Sequence, residues 1–422
     1  MKKKSKNNIS PASICKKFAL SIGGTIKCTS CENKIIAYEE DGLWKSEDGY
    51  VRLSKTLDSF LEEKDIDYSI STRSQMIMYC HTLVYHDEFF EDNEDCKYIR
   101  PKSKVLDLGS GRVIDPSPEH RSRTSMNFGP DPTVPEMVEQ LLEELFPNKE
   151  VREYFVRYLE SYLEPYNRDK MMCVWLGNGN NGNSVMTKIV EKIFGGYHAK
   201  LPLNILTKKK NESGNATPEV TLLADPHFAV IQEPNAHEMI NLSTLKELTG
   251  NDSIYVRKLY SNAEDIWIKA KIIMVVNALP FIDYDDPAAR SKVCCIPFQT
   301  KVLPEKKIDA RKGMYVRKMN IWFADKISHL APKLLHRIIQ EYPVYRKEGL
   351  LDSEFIRTYI DGCLSKFNTF ENYLKEHREM MGDLEMFNSY SSWLRYKYPM
   401  LKYKILDYED TIYKLRAIKG SF

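Results

Sequence analysis

The sequence lacks any apolar run of the roughly 20 residues that a membrane-spanning helix requires. Its beginning also lacks the apolar segment of a secretory signal peptide. Charge of one sign is not in excess, since 61 basic residues against 59 acidic ones leave a formal net charge of +2. We therefore expect an intracellular protein without a membrane partner, in which any affinity for nucleic acid depends on local basic patches.

Cysteine is sparse and unevenly spaced. The nine cysteines in 422 residues fit reduced thiols better than a disulfide framework. Cys28 and Cys31 stand at the C-x-x-C spacing of half a zinc site, with Cys15 nearby, but no second pair at metal spacing follows. A zinc ion at Cys28 and Cys31 is therefore left open.

The most informative absence is a single lysine. Residues 177–184 read GNGNNGNS, which matches the phosphate-binding loop G-x-x-x-x-G-K-[S/T] except that Asn183 stands at the lysine position. Such a loop wraps nucleotide phosphates with backbone N–H groups, while its lysine and hydroxyl reach the phosphates and Mg²⁺. An asparagine donates hydrogen bonds but supplies no charge, so we expect weaker binding and much slower hydrolysis. The predicted nucleotide-binding residues are Gly177, Asn178, Gly179, Asn180, Asn181, Gly182, Asn183 and Ser184.

Three explanations of Asn183 stay open. The chain is a natural variant with impaired hydrolysis, it receives the positive charge from elsewhere, or the asparagine is an engineered or sequencing change. Lys188 lies one helical turn beyond Ser184, and its side chain would have to reach back around the start of the helix to substitute. We do not expect it to do so.

The residues around the loop predict an α/β fold. An apolar run at Met171–Leu176 is suited to a buried strand, and apolar residues at helical spacing follow Ser184. Two further apolar runs of strand length end immediately before Glu233 and Asn277. A carboxylate at a strand end suits Mg²⁺, and an amide there can orient the attacking water. Taken singly, Glu233 also reads as a solvated charge and Asn277 as a turn residue.

Five ordered blocks carry a family resemblance. The chain resembles the viral helicases of superfamily 3, most closely the primase-helicase family of poxviruses and other large DNA viruses. The matching blocks are WLGNGNNGNS at Trp175–Ser184, FAVIQEPN at Phe228–Asn235, LKELTGNDSIYVRKLY at Leu245–Tyr260, IIMVVNALP at Ile272–Pro280 and DDPAARSKVCCIPF at Asp285–Phe298.

The resemblance implies a hexameric ring of the AAA+ type that binds ATP between subunits. It implies that Ser184 and Glu233 hold Mg²⁺ and that Asn277 places the water. A neighbouring subunit would bring Arg290 to the γ-phosphate, with Lys292 as the alternative. The alternative interpretation is that Arg290 is an ordinary surface charge without a role in catalysis.

The resemblance also places a DNA-contacting hairpin after residue 250. It assigns DNA binding to Arg257 and Lys258, while the aromatic residues nearby could stack on unpaired bases. The alternative is an ordinary amphipathic hairpin with one wet face.

The predicted fold class is α/β with an AAA+ type nucleotide-binding core. We expect an N-terminal α+β module at 1–125, a helical collar or linker at 126–167, the helicase core at 168–305 and a helical C-terminal region at 306–422 that holds part of a winged helix. Ser103–Asp131, rich in Gly, Pro, Ser and Asp, reads as a linker within this plan.

The leading hypothesis is an ATP-dependent DNA helicase of viral DNA replication, using ATP and Mg²⁺, in the host cytoplasm or at a viral replication site. Expected partners are single-stranded or forked DNA, other copies of the chain in a hexamer, and a primase or other replication proteins. One alternative is a non-hydrolysing DNA-binding or scaffold ring, because of Asn183. The other is a nucleotide-dependent enzyme unrelated to DNA.

Overall fold

The structure, a computed structural model, divides into two compact units, residues 1–129 and 130–422. It describes residues 10–30, 34–90, 97–207, 218–232, 238–257, 263–283, 286, 288–303, 315–318, 320, 323–377, 382–398, 401 and 406–419. Within those ranges, no helix combines the length and apolar character needed to cross a membrane.

The first unit combines helices with a three-stranded antiparallel sheet. Leu53, Leu57 and Leu61 recur every four residues along its second helix and are buried, which fixes the face that packs on the sheet. The elements are α1 (Pro11–Ile22), β1 (Ile26–Ser30), β2 (Ile35–Glu40), β3 (Leu43–Asp48), α2 (Val51–Glu63) and α3 (Ile70–Leu83), with strand order β1-β2-β3.

A second small sheet corrects the linker prediction for Ser103–Asp131. The strands β4 (Tyr98–Ile99), β5 (Val105–Asp107) and β6 (Arg112–Ile114) pair antiparallel in sequence order. Asp107 Oδ1 accepts hydrogen bonds from the N–H groups of Gly109 (2.8 Å) and Ser110 (3.4 Å). The glycine, serine and aspartate of this stretch therefore form a hairpin turn instead of a flexible connection.

The second unit opens with two helices, α4 (Glu136–Leu145) and α5 (Lys149–Glu160), as the apolar spacing predicts. Asn148 Oδ1 caps α5 by accepting from the N–H groups of Glu150 and Val151. The rings of Phe146 and Phe155 pack on Trp175 and Phe298 of the central sheet. These helices therefore share an aromatic core with the sheet.

The central sheet of the second unit is parallel and five-stranded, with strand order β13-β7-β12-β9-β8. Its elements and their surroundings, in chain order, are β7 (Met172–Gly177), α6 (Asn183–Phe194), β8 (His198–Leu201), α7 (Asn204–Thr207), α8 (Pro218–Thr221), β9 (Phe228–Gln232), α9 (Leu242–Thr249), β10 (Ser253–Arg257), β11 (Ala263–Trp267), β12 (Lys271–Val276), α10 (Ala288–Lys292), β13 (Val293–Phe298), β14 (Lys301–Leu303) and β15 (Val316–Lys318).

Burial explains why the strands of this sheet read as continuous apolar runs. Every residue of β12 and of β13 is buried, as expected for strands covered on both faces. The three strands and the helix predicted around the phosphate loop are confirmed. Strands β7, β9, β12 and β13 run in one direction. The residues that follow them therefore lie together at the carboxyl-terminal end of the sheet.

Helices dominate the rest of the second unit. A 26-residue helix packs against both α5 and α6, and the next helix packs on β13. The helices are α11 (Phe323–Glu348), α12 (Glu354–Leu364), α13 (Thr369–Glu376), α14 (Asp383–Lys397) and α15 (Tyr408–Lys419). The helical character expected of this region is confirmed over these ranges, and the partial winged helix stays a prediction.

The cysteines that the structure describes are free thiols, and each is buried. Cys28 Sγ lies 2.7 Å from His81 Nε2. Within the described ranges, no cluster of three or more His, Cys, Asp or Glu could hold a metal ion. Cys31 lies outside those ranges, so the zinc hypothesis stays untested.

Candidate nucleotide-binding site

The loop between β7 and α6 has a shape that only glycine allows at two positions. Gly182 has a φ of +86°, and a Cβ there would clash with Leu145 of α4. A Cβ at Gly177 would clash with the side-chain amide of Asn181. These glycines let the backbone turn sharply from the strand into the helix.

The backbone N–H groups of this loop point to an anion site. Those of residues 179–182 have no hydrogen-bond acceptor among the residues that the structure describes. Asn181 is only 1% exposed and holds the loop from inside, because its Oδ1 accepts from the N–H of Asn183 at 3.1 Å. Unused N–H groups at the start of a 12-residue helix favour a bound phosphate.

Asn183, at the lysine position, turns back onto its own helix. Its side chain is buried, and Oδ1 accepts from the N–H of Ser184 at 2.7 Å and from the Ser184 hydroxyl at 3.3 Å. The side-chain oxygen therefore takes up donors that a phosphate oxygen would otherwise use. Ser184 itself is exposed.

Lys301 at the start of β14 brings an ammonium group to the loop. Its Nζ donates to the carbonyl oxygens of Asn178 (3.0 Å) and Gly179 (3.1 Å). The backbone of β14 is also attached, since the N–H of Val302 donates to Asn180 O at 2.6 Å. We did not single out Lys301 from the sequence. Lys301 follows Phe298 by three residues, and Phe298 pairs with Gly177 at the start of the loop. The sequence alone does not reveal this pairing, so it does not place Lys301 near the loop.

A pocket of about 560 Å³ opens beside the loop. Its walls combine apolar side chains of α4 and α11 with basic side chains of α11 and β15, a combination suited to a nucleoside that carries phosphates. The lining residues include Leu141, Glu144, Leu145, Asn180, Asn181, Gly182, Asn183, Ser184, Thr300, Val302, Arg317, Lys318, Phe323, Lys326 and Leu330.

Asn277, which follows β12, lies next to the loop. It is exposed, and its Oδ1 is 4.0 Å from the position that a Cβ on Gly179 would occupy. Glu233 lies outside the described residues. The preceding Gln232 pairs with Val275 of β12, so the chain reaches the same edge of the sheet immediately before Glu233.

Arg290 and Lys292 lie at the opposite end of the sheet, where its strands begin. Both belong to α10, which immediately precedes β13, and the six residues of β13 span about 20 Å at roughly 3.3 Å each. Arg290 Nε is 3.5 Å from Asp361 Oδ1, and its side chain is 56% exposed. Burial lowers the pKa of Lys292. The structure does not bring either residue to the phosphate loop of its own chain.

The hairpin predicted after residue 250 is present as β10 and β11. Ile254 and Val256 are buried on its inner face, whereas Tyr255 is 73% and Trp267 55% exposed on the other. The backbone of Arg257 ends β10, and Lys258 lies outside the described residues.

Buried ionisable groups support the sheet away from the loop. Lys271 Nζ donates to the carbonyl oxygens of Glu164 and Tyr166 at the start of β12. Burial lowers the pKa of His227 to about 3. Burial also raises the pKa of Glu160 to about 7, although Arg157 Nε lies 3.1 Å from its carboxylate.

Comparison with known proteins gives similarity to proteins of large DNA viruses. The chain is 36% identical over 160 residues to "Putative helicase 022R" of frog virus 3 (isolate Goorha), covering 37% of this chain and 16% of that protein. It is 28% identical over 302 residues to "Putative helicase 121R" of invertebrate iridescent virus 3, covering 67% and 32%. It is 24% identical over 160 residues to "Putative primase C962R" of African swine fever virus (isolate Warthog/Namibia/Wart80/1980), covering 38% and 17%.

The chain spans between 16% and 36% of the length of the curated relatives it matches. No protein-family model matches it. Among solved structures, the apo A form of the NrS-1 C-terminal region aligns with a TM-score of 0.47 at 12% identity, covering 97% of this chain and 86% of that one.

Proposed function

We propose that this chain is the motor part of an ATP-dependent DNA helicase that acts in viral DNA replication. The observation that carries the proposal is the loop at residues 177–184, whose unused N–H groups face the same edge of a parallel sheet as Asn277. The similarity to proteins named as helicases and primases of large DNA viruses adds support. A superfamily 3 core of the AAA+ type is part of the proposal.

The residues of the loop fit a nucleoside triphosphate. The N–H groups of residues 179–182 would bind phosphate oxygens, and the pocket between α4, β15 and α11 would hold the nucleoside. Ser184 and Glu233 would hold Mg²⁺, which when bound neutralises the charge that develops on the transferred phosphoryl group. Ser184 is exposed and can offer its hydroxyl.

Asn277 is the proposed water-positioning residue. Strand β12 lies between β7 and β9, so its end stands between the loop and the segment that contains Glu233. Its amide would hold a water in line with the γ-phosphate. Attack by that water forms a bond to the γ-phosphorus and breaks the bond to the β–γ bridging oxygen, which gives ADP and inorganic phosphate, the water proton passing to phosphate.

Arg290 is proposed to act on the ATP of a neighbouring chain. Helix α10 lies at the amino-terminal end of the sheet, whereas the loop of the same chain lies at the carboxyl-terminal end. Arg290 therefore reaches a γ-phosphate only across a subunit contact. A closed ring, which we propose to be a hexamer, supplies that contact for every subunit. Lys292 is the second candidate for this role.

The β10–β11 hairpin is the proposed DNA contact. Arg257 and Lys258 would bind phosphates, and the exposed Tyr255 and Trp267 would stack on unpaired bases.

An ATPase assay with single-stranded DNA tests the proposal. We expect turnover by the native chain, and a loss of about 100-fold in Asn277→Ala, because a group that acts on the transition state is removed. Asn388→Ala on α14, also an exposed asparagine, serves as the matched control and should keep the native rate. Unwinding of a forked duplex in the presence of ATP then identifies a helicase. A native chain that neither binds nor hydrolyses ATP contradicts the proposal.

A non-hydrolysing DNA-binding or scaffold ring is the second candidate. The bond from Ser184 N–H to Asn183 Oδ1 favours it, because a neutral amide occupies the start of the helix where a phosphate would be bound. Turnover that appears only after Asn183→Lys would support this candidate over the motor.

A further inference from the structure

We propose that Lys301 supplies to the nucleotide phosphates the positive charge that Asn183 does not provide. The inference rests on the proposed function, since it assumes that the loop at residues 177–184 binds a nucleoside triphosphate. It assigns the missing ammonium to a residue far along the chain, delivered by a neighbouring strand.

The contacts of the ammonium group are the first argument. Lys301 Nζ lies 3.0 Å from Asn178 O and 3.1 Å from Gly179 O, so it is fixed on the loop at two points. An ammonium has three donor hydrogens, and these carbonyls use two of them. Within the described residues the third hydrogen has no other acceptor, so it can bind a phosphate oxygen.

The surroundings of the Lys301 charge are the second argument. In the part of the chain that the structure describes, no carboxylate lies within 4 Å of its Nζ. Carbonyl oxygens orient an ammonium without neutralising it, so none of the described residues cancels its charge at the loop. A bound phosphate would be the natural counter-charge.

The fold places Lys301 with little freedom. Strand β13 pairs with β7 through Phe298 and Gly177, so the chain that leaves β13 runs beside the loop that leaves β7. Thr300 is anchored through its hydroxyl to Glu144 O at 2.7 Å, and Val302 N–H is bonded to Asn180 O. Lys301 is thus attached on both sides by its neighbours.

The position of Lys301 suits the terminal phosphates. Thr300 and Val302 line the pocket, and the alternation of side chains along a strand directs Lys301 away from it, toward Gly179. Asn277 approaches the same residue from β12. A triphosphate whose nucleoside lies in the pocket would therefore extend across the loop toward Lys301 and Asn277.

Binding of a fluorescent ATP analogue to the full chain, with competition by ATP, ADP and AMP, tests the inference. Lys301→Met should weaken ATP binding about 10- to 100-fold, as expected for the loss of one hydrogen bond to a charged group. AMP binding should change less, because the lost charge faces the outer phosphates. Lys301→Arg, which keeps the charge, should retain much of the affinity.

Two further variants complete the design. Lys188→Met removes an exposed lysine one turn along α6 from Ser184 and should leave ATP binding unchanged. Asn183→Lys combined with Lys301→Met should recover the affinity, because the ammonium returns by the usual route. Thermal melting without nucleotide shows whether each variant is folded, and a Lys301→Met chain that melts well below the native one is replaced by Lys301→Gln.

The outcomes separate this inference from the proposed function. If the native chain binds ATP and Lys301→Met binds it equally well, the assignment of Lys301 is wrong and the nucleotide site stands. If only Asn183→Lys chains bind ATP, Lys301 does not supply the charge, although the loop is a nucleotide site. If no variant binds ATP, both proposals fail.

Discussion

At the scale of single residues, the loop at residues 177–184 keeps its backbone shape with Asn183 at the position where a phosphate loop has lysine. Asn183 satisfies the N–H of Ser184, and the glycines keep the turn that a Cβ would obstruct. The backbone cradle is therefore independent of the side chain at the lysine position. If the loop binds ATP as proposed, positive charge is the property that has to come from another residue.

Glu160 gives a residue-scale prediction about pH. Its pKa in the folded chain, raised to about 7 by burial, exceeds the ordinary value of 4.5. The folded state therefore binds more protons than the unfolded state between these pH values, and this group makes stability fall as pH rises through that window. Buried His227, with a pKa lowered to about 3, acts in the opposite direction and lowers stability as pH falls below 6.5.

Replacing Glu160 by Gln leaves the effect of His227 unopposed. Between pH 5 and pH 7 the free energy of unfolding of Glu160→Gln should rise with pH by about 2 kcal/mol more than that of the native chain. Urea denaturation at the two pH values measures the difference. Glu153→Gln, at an exposed position of the same helix, is the control and should follow the native slope. Equal slopes for Glu160→Gln and the native chain would rule out a raised pKa at Glu160.

At the scale of elements, the β10–β11 hairpin combines a buried face with an exposed aromatic pair. Ile254 and Val256 fix the register by packing into the core, so Tyr255 and Trp267 are held on the outer face. Large exposed aromatics on the outer face of a hairpin are a surface on which bases can stack.

The double substitution Tyr255→Ala and Trp267→Ala should weaken binding of single-stranded DNA at fixed salt by about tenfold or more, because stacking contributes roughly 1–3 kcal/mol per base. Fluorescence anisotropy with a labelled oligonucleotide measures it. Tyr396→Ala, which removes an 86% exposed tyrosine on α14, provides the comparison and should have no effect. An equal loss in both proteins would argue against the hairpin as the DNA contact.

The elements were predictable from sequence where burial dictates the pattern. A strand covered on both faces has to be apolar throughout, so β7, β9 and β12 stood out. The buried β5 has the apolar pattern of a strand, but the short β6 is mostly exposed and lies among turn residues, so the stretch as a whole resembled a linker. Lys301 was missed because its proposed role depends on which strand lies beside β7, and pairing between strands distant in sequence leaves no local signal.

At the scale of the whole molecule, the proposed catalytic residues lie at opposite ends of the strands of one sheet. The loop and Asn277 are at the carboxyl-terminal end, and Arg290 is at the amino-terminal end. A single chain cannot join them. The proposed activity therefore belongs to an assembly, and subunits with different defects should complement each other.

Mixing chains with two different substitutions tests this. Ser184→Ala chains lack the Mg²⁺ hydroxyl and Arg290→Ala chains lack the basic residue, so each alone should be inactive. An equimolar mixture should recover about a quarter of the native ATPase rate, because half of the pockets are intact and half of these face an intact Arg290. Electron micrographs of the native protein should show six-fold rings. A mixture as inactive as its components would refute a shared site.

The buried thiols can report the unfolding of each unit, because they react with an alkylating reagent only when they become exposed. Cys15, Cys28 and Cys80 lie in the first unit, whereas Cys173, Cys294, Cys295 and Cys363 lie in the second. An alkylating reagent modifies a thiol in proportion to how often its surroundings open. After Cys31 and Cys96 are replaced by serine, mass spectrometry of the alkylated peptides follows the opening of each unit separately, in one sample and without an attached dye.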